Sequence, residues 1–249
     1  MDEGCVQNGW LGGKLQLRQA AHGHRAGTDA VLLAAAVVGT TGLLIDVGAG
    51  VGSVGLAVAL RAPQLRVALV EADPATAELA RQNIALNGFS ARMRVHEADV
   101  MHPASRRAAG LADGQADIVV NNPPFYQAGQ VRASPLARQA AAHVLAQGEL
   151  PRWIAACLAL LRPGGTFAMI HRPEALAEIL AASQGRMGDI KILPLYPRAG
   201  AVAHRLLVKG RRGSRARLEI VQGLVLHEAD GCFTPHGQAL HQGEALVGG

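Results

Sequence analysis

Aromatic side chains are scarce in this chain. Two Trp, two Tyr and four Phe among 249 residues leave too few rings for a broad base-stacking platform. Cysteine is rarer still. Cys5, Cys157 and Cys232 are odd in number and scattered, which argues against a disulfide framework and a zinc site and fits a reducing compartment. No apolar run reaches the roughly 18 residues that span a bilayer. The longest candidate, residues 30–38, is too short and follows Asp29. Asp2 and Glu3 stand where a secretory signal would carry basic residues, so no signal peptide is expected and the expected location is the cytoplasm. Acids are missing from two stretches. Residues 14–27 hold Lys14, Arg18 and Arg25 with His22 and His24, and no carboxylate. The two histidines have no third ligand type clustered with them, so no metal is expected. Residues 191–217 hold Lys191, Arg198, Arg205, Lys209, Arg211, Arg212, Arg215 and Arg217, again without an acid.

What the chain does have is apolar mass and a repeating pattern. Hydrophobic residues make up 49%, enough for a core, and the length suits one α/β domain with small additions. The net charge of +5 permits a nucleic-acid partner without demonstrating one. Residues 1–27 are rich in glycine and read as mostly irregular, with a short strand at 15–19. Thr28 or Asp29 can cap a helix over 30–37, which Gly39 can end. Strands are then predicted at 43–47, 65–70, 92–96, 117–121 and 166–170, and helices at 53–60, 74–86, 136–145, 150–161 and 173–184. Residues 190–196 and 203–209 read as two strands joined by a linker that permits an antiparallel pair. A last apolar run lies at 218–226. Alternation of strand and helix over most of the length implies a parallel sheet with helices on both faces, closed by an antiparallel edge.

Four strand ends carry the polar residues. The first strand ends at Asp46 and runs into Gly48-Ala49-Gly50-Val51-Gly52. Glycines there allow a tight turn whose backbone N–H groups face a ligand at a helix start. The second strand ends at Glu71. The third ends near Asp99, with Glu97 as its competitor. The fourth stops at Asn121-Asn122-Pro123-Pro124-Phe125-Tyr126, because proline cannot donate to a ladder and forces the chain out of the sheet. The carboxyl edge of such a sheet is where ligands bind. Gly50-Val51-Gly52-Ser53-Val54-Gly55 also fits the dinucleotide pattern G-x-G-x-x-G, which keeps an NAD enzyme in view. That pattern starts two residues late, however, and explains neither Asp99 nor the prolines.

Together these ends resemble the Rossmann-like S-adenosylmethionine (SAM) methyltransferases, specifically the amino-methylating group with an Asn-Pro-Pro-aromatic motif. The resemblance implies an α/β three-layer sandwich with a mostly parallel seven-stranded sheet and an antiparallel edge strand. It implies one domain over 1–249: an arm and capping helix at 1–42, a catalytic core at 43–210, and a basic loop with an extension at 211–249. SAM is the implied cofactor. Asp46 beside Gly48, Gly50 and Gly52 would face its methionine portion, Glu71 its ribose, and Asp99 with Val100 its adenine. Asn122 and Pro123 would grip a planar NH₂ through the side-chain oxygen and the backbone carbonyl. Pro124 would stiffen the turn, and Phe125 would stack on the substrate. Asn121 is the competitor for the role of Asn122, which directly precedes Pro123.

The motif alone serves adenine, cytosine and protein glutamine amines. Glutamine enzymes carry a sizeable helical domain before the glycine turn, whereas only about 45 residues stand there in this chain. Gly23-His24-Arg25-Ala26-Gly27-Thr28-Asp29 instead resembles the bacterial tRNA1(Val) (adenine-N6)-methyltransferase family, in which that segment lies over the SAM site. Thr28 and Asp29 are therefore implied to contact the cofactor. Phe125-Tyr126 departs from relatives that often place Tyr first, and both rings stack. The expectation is methyl transfer to N6 of an adenine in tRNA, with a protein glutamine amide or a small molecule as alternatives. The eight cations of 191–217 would supply phosphate contacts.

Overall fold

A computed structural model describes residues 5–21, 27–123 and 148–247. Its main sheet has nine strands. Strands β3 (Thr41–Val47), β4 (Gln64–Glu71), β5 (Met93–Glu97), β6 (Ala116–Asn121) and β7 (Leu161–His171) run parallel in the order β7-β6-β3-β4-β5. Beyond β7 come β9 (Arg205–Arg212), then β8 (Met187–Arg198), whose outer edge is covered in parallel by the short β10 (Glu219–Ile220) and β11 (Leu224–His227). The fold class is the expected one, with nine strands where seven were expected. The run at 218–226 supplies the two small additions that blunt the exposed edge of β8. The antiparallel strand is β9, and it lies between β7 and β8 rather than at the rim.

Helices cover both faces. On one side are α1 (Thr28–Ala35), α2 (Ser53–Arg61), α3 (Pro74–Leu86) and, near the carboxyl terminus, α7 (Pro235–His241). The other carries α4 (Pro103–Ala108), α5 (Leu150–Leu160) and α6 (Leu176–Ser183). Alternation along each strand feeds the two layers. Ile118 and Val120 of β6 pack toward α1, and Val119 packs toward α5 with Phe167 and Met169 of β7. Burying one such side chain is worth about 1.5–3 kcal/mol. The prediction for α3 matches, with Asp73 capping Thr76 N at 2.7 Å and Asn87 ending the helix.

Two expectations near the start are corrected. Residues 5–20 form a hairpin, β1 (Cys5–Trp10) and β2 (Leu15–Ala20), rather than mostly irregular chain. The α1 helix begins two residues before the expected start, on Gly27, without a side-chain cap. Asp29 does not cap because its carboxylate accepts from Arg205 Nε at 2.8 Å. The hairpin is held by α3 in an unusual way. Asn83 and Asn87, one turn apart, act as surrogate strand partners for alternate residues of β2. Asn83 accepts from Arg18 N at 2.7 Å and donates to Arg18 O at 3.0 Å; Asn87 does the same for Gln16 at 2.9 and 2.8 Å. A helical step of four residues and a strand step of two are both about 6–7 Å, so the registers match.

Candidate active site

The carboxyl ends of β3, β4, β5 and β6 bring the predicted residues to one edge. Gly48 and Ala49 donate to Val70 O at 2.9 and 3.0 Å, which folds the turn over the end of β4. Gly48, Gly50 and Gly52 all take positive φ, the left-handed region that disfavours other residues. At Gly48 a side chain would also collide with the indole of Trp153, whose Cη2 lies 3.0 Å from the Cβ position. A Cβ on Gly50 would meet nothing within 4 Å, so the turn is open on that side.

Asp46 is buried and accepts from Gly55 N at 2.9 Å, tying the end of β3 to the first turn of α2. Burial pushes its carboxyl from 3.8 up to about 7, against the Gly55 bond, with the charge of Glu71 adding to the rise. Glu71 closes the turn from the other side. Its oxygens accept from Gly50 N at 2.8 Å, Ala72 N at 2.9 Å and Asp73 N at 3.0 Å. A carboxylate has about four acceptor positions, so one remains. Asp99 sits in the loop after β5, where it accepts from Met101 N at 2.9 Å and pairs with His102 Nδ1 at 2.7 Å. Val100 is buried beside it, with its carbonyl taken by Arg106. Thr28 starts α1 and is partly exposed.

The two asparagines at the end of β6 are in different states. Asn121 is fully buried and satisfied: Nδ2 donates to Ala168 O at 3.2 Å, and Oδ1 accepts from Trp153 Nε1 at 3.2 Å. Asn122 has a buried Oδ1 with no hydrogen-bond partner among the described residues. Leaving such an acceptor unmet costs about 1–3 kcal/mol, so it marks a place where a donor is wanted. Pro123 is buried next to it. Pro124, Phe125 and Tyr126 lie outside the described residues, as do His22, His24 and the expected helix at 136–145.

Three residues of this edge were not read from the sequence. Trp153 sets which asparagine is free. Asn83 donates to Val51 O at 3.0 Å as well as to the hairpin, and so anchors the glycine turn to β2. Its one available signal was the pair of asparagines four apart on α3. His171 ends β7 as Asp46 and Glu71 end theirs, and burial lowers its imidazole from 6.5 to about 4, keeping it neutral.

The basic stretch divides. Arg198 and Arg205 are at the carboxyl edge of the sheet, near His171, whose register partner is Leu206. Arg211 is level with Thr166, and the chain beyond it continues toward the opposite edge. Two of the eight cations are engaged inside the fold. Arg205 pairs with Asp29, both about a fifth exposed, and Arg212 donates to the carbonyls of Ala159 and Leu161 at the end of α5. No helix among the described residues is long and apolar enough to cross a membrane.

A glycine turn between β3 and α2, acids ending the next two strands, and an antiparallel strand inserted beside β7 define a Rossmann-like SAM-dependent methyltransferase. A family model described as the methyltransferase small domain matches residues 24–175, and the chain belongs to that family. SAM is its cofactor. Among curated relatives, the tRNA1(Val) (adenine(37)-N6)-methyltransferase of Porphyromonas gingivalis strain W83 is 32% identical over 221 residues, 85% of this chain and 84% of that protein. A crystal structure from Agrobacterium tumefaciens, described as a predicted O-methyltransferase, is 36% identical with a TM-score of 0.74, covering 88% of this chain and 98% of that one. The M. jannaschii TYW2 structure in complex with AdoMet shares the fold at 12% identity, with a TM-score of 0.58 over 85% of this chain and 87% of that one.

Proposed function

We propose that the chain methylates an exocyclic amine, N6 of an adenine in tRNA. The unpartnered Oδ1 of Asn122 carries this reading. It is a buried acceptor beside a buried proline, at the strand end next to the glycine turn. An NH₂ group has two N–H donors, and Asn122 Oδ1 and the Pro123 carbonyl accept one each. That grip orients the nitrogen lone pair and stabilises the positive charge that develops on nitrogen. No strong base is needed, because a methylated ammonium loses its proton readily. For Phe125 and Pro124, which lie outside the described residues, the roles proposed from the motif are stacking on the flat base and stiffening the turn.

When bound, SAM supplies an electrophilic methyl group on a sulfonium. Gly48, Gly50 and Gly52 line the methionine end, with Asp46 ordering the turn beneath it. The remaining acceptor position of Glu71 takes a ribose hydroxyl. Asp99 and Val100 border the adenine, and Thr28 covers the site from α1. The chain is read as one methyltransferase domain over 1–249, with arm, core and extension at 1–42, 43–210 and 211–249. As a tRNA-modifying enzyme it belongs in the cytoplasm. Lys191, Arg198, Lys209, Arg211, Arg215 and Arg217 remain for phosphate contacts.

The relatives' name supports adenine in tRNA, and the amide acceptor supports N- over O-methylation, since a hydroxyl offers only one hydrogen. Incubation with methyl-labelled SAM and bulk tRNA, followed by nuclease digestion, tests the reading. Label is expected in N6-methyladenosine. Label confined to protein would overturn it in favour of a glutamine amide.

A further inference from the structure

A second polar concavity opens on the α1 side of the sheet, away from the Asn122 edge. Its volume is about 420 Å³, and its floor includes Thr166, Ala168, Lys191, Lys209 and Arg211. The loop that follows α1, residues 36–39, forms its wall. By register, Lys209 lies level with Ala168 and Arg211 with Thr166, whereas Asn121 lies level with Met169. The cleft floor is thus roughly 7–13 Å from Asn122 toward the amino ends of the parallel strands, at about 3.3 Å per residue.

Its charges are arranged against the stability of the empty protein. Lys191 and Lys209 are direct cross-strand partners on β8 and β9. Like charges placed opposite each other in a ladder are destabilising. Burial and the neighbouring Lys191 push the Lys209 ammonium below the usual lysine range. Neither lysine has a carboxylate within ion-pair distance among the described residues. The other charged groups lining the cleft are Arg211, Arg162, Asp117 and Asp189. Asp117 is committed to Arg162 at 2.6 Å and to Leu43 N at 2.8 Å. Asp189 stands in a bulge of β8 with φ of 52°, a strained position for a residue with a side chain. The carbonyl end of α1, which would repel an anion, is already met by Arg61 on Ala34 O and Val37 O.

We propose that this cleft binds a phosphate group, held by Lys191, Lys209 and Arg211, whether the phosphate is free or part of a nucleic-acid backbone. A paired anion turns the lysine repulsion into shared attraction. Arg211, whose Nε donates to Gly164 O at 3.4 Å, adds the two terminal nitrogens of its planar guanidinium. The site is separate from the methyl-transfer edge; its nucleic-acid form rests on the tRNA reading given above, and its free-anion form does not.

Calorimetry of the full chain with pyrophosphate at low salt tests it, with SAM titrated in parallel. Wild type is expected to show saturable binding. Lys191→Met/Lys209→Met should weaken that binding at least tenfold and leave SAM affinity unchanged. Lys191→Glu, at an exposed position, repeats the test without touching the half-buried lysine. Adding a short single-stranded RNA separates the sources: competition with pyrophosphate identifies backbone phosphate as the ligand, and independent pyrophosphate binding identifies a free anion. Equal pyrophosphate affinity in wild type and both variants, or no saturation in wild type, would overturn the proposal.

Discussion

The indole N–H of Trp153 donates to Oδ1 of Asn121 at 3.2 Å, and this bond occupies the side-chain oxygen of the first of two adjacent asparagines while that of the second has no partner among the described residues. Asn121 belongs to the core between β6 and α5. Asn122, one residue beyond the end of β6, has a buried Oδ1 without a partner among the described residues. Replacing Asn121 with Leu should therefore act on stability, stranding a buried indole N–H at a cost of about 1–3 kcal/mol. Chemical denaturation would show a lower midpoint. The folded fraction should still turn over at near wild-type rate, which separates this variant from one at Asn122.

Asn83 links three elements: β2 through Arg18, α3 through its own backbone, and the glycine turn through Val51. Asn83→Leu has nearly the same volume and removes all three side-chain bonds. We expect a loss of about 2–4 kcal/mol, from two stranded donor or acceptor sites on β2 and one on the turn. SAM affinity, measured by calorimetry on the folded protein, should fall by several-fold, while Asn87→Leu should reduce stability and leave SAM affinity near wild type.

Asp46 gives stability a distinctive pH dependence. Its folded pKa, about 7, lies above the ordinary aspartate value of 3.8. Between those values the folded state holds a proton that the unfolded state has lost. Stability is then fullest below about pH 4 as far as this group is concerned, and declines as pH rises toward 7, by on the order of 2–4 kcal/mol. Asp46→Asn keeps an acceptor for Gly55 N and cannot ionise. Urea midpoints across pH 4–8 should decline more steeply in wild type than in Asp46→Asn; parallel profiles would contradict this assignment.

Asp29 and Arg205 are 176 positions apart and pair at 2.8 Å, which moors the start of α1 to β9 at the carboxyl edge. Both are partly buried, so a double-mutant cycle with Asp29→Asn and Arg205→Gln should give a coupling of about 1 kcal/mol. A coupling near zero would mean that α1 is held by its apolar face alone.

Much of this architecture was legible because its elements are periodic and punctuated. The run from Asp73 to Gly88 has a cap, an apolar stripe and a stop. Asp46, Glu71 and Asn122 each end an apolar run. What was hidden is non-local or short. β1 is largely exposed and has no alternation to read, and α4 has only six residues. The insertion of β9 between β7 and β8 is a choice of topology that adjacent residues do not encode. The basic stretch reads as one feature in sequence, yet an antiparallel turn sends Arg198 and Arg205 to one edge and Arg211 toward the other. The distinction between Asn121 and Asn122 depended on a tryptophan some 30 residues away.

Asn122 is the residue proposed to grip the acceptor amine. Asn122→Ala removes a side-chain oxygen that has no partner among the described residues, so stability should hold or rise slightly. Single-turnover methyl transfer to tRNA by this variant, run beside SAM calorimetry, is the most direct measurement. The expected result is a rate lowered by roughly 10²–10³-fold, as for loss of one positioned charge-stabilising group, with SAM affinity within a few-fold of wild type. A near-wild-type rate, or a rate loss that follows a matching loss of SAM binding, would contradict the assignment.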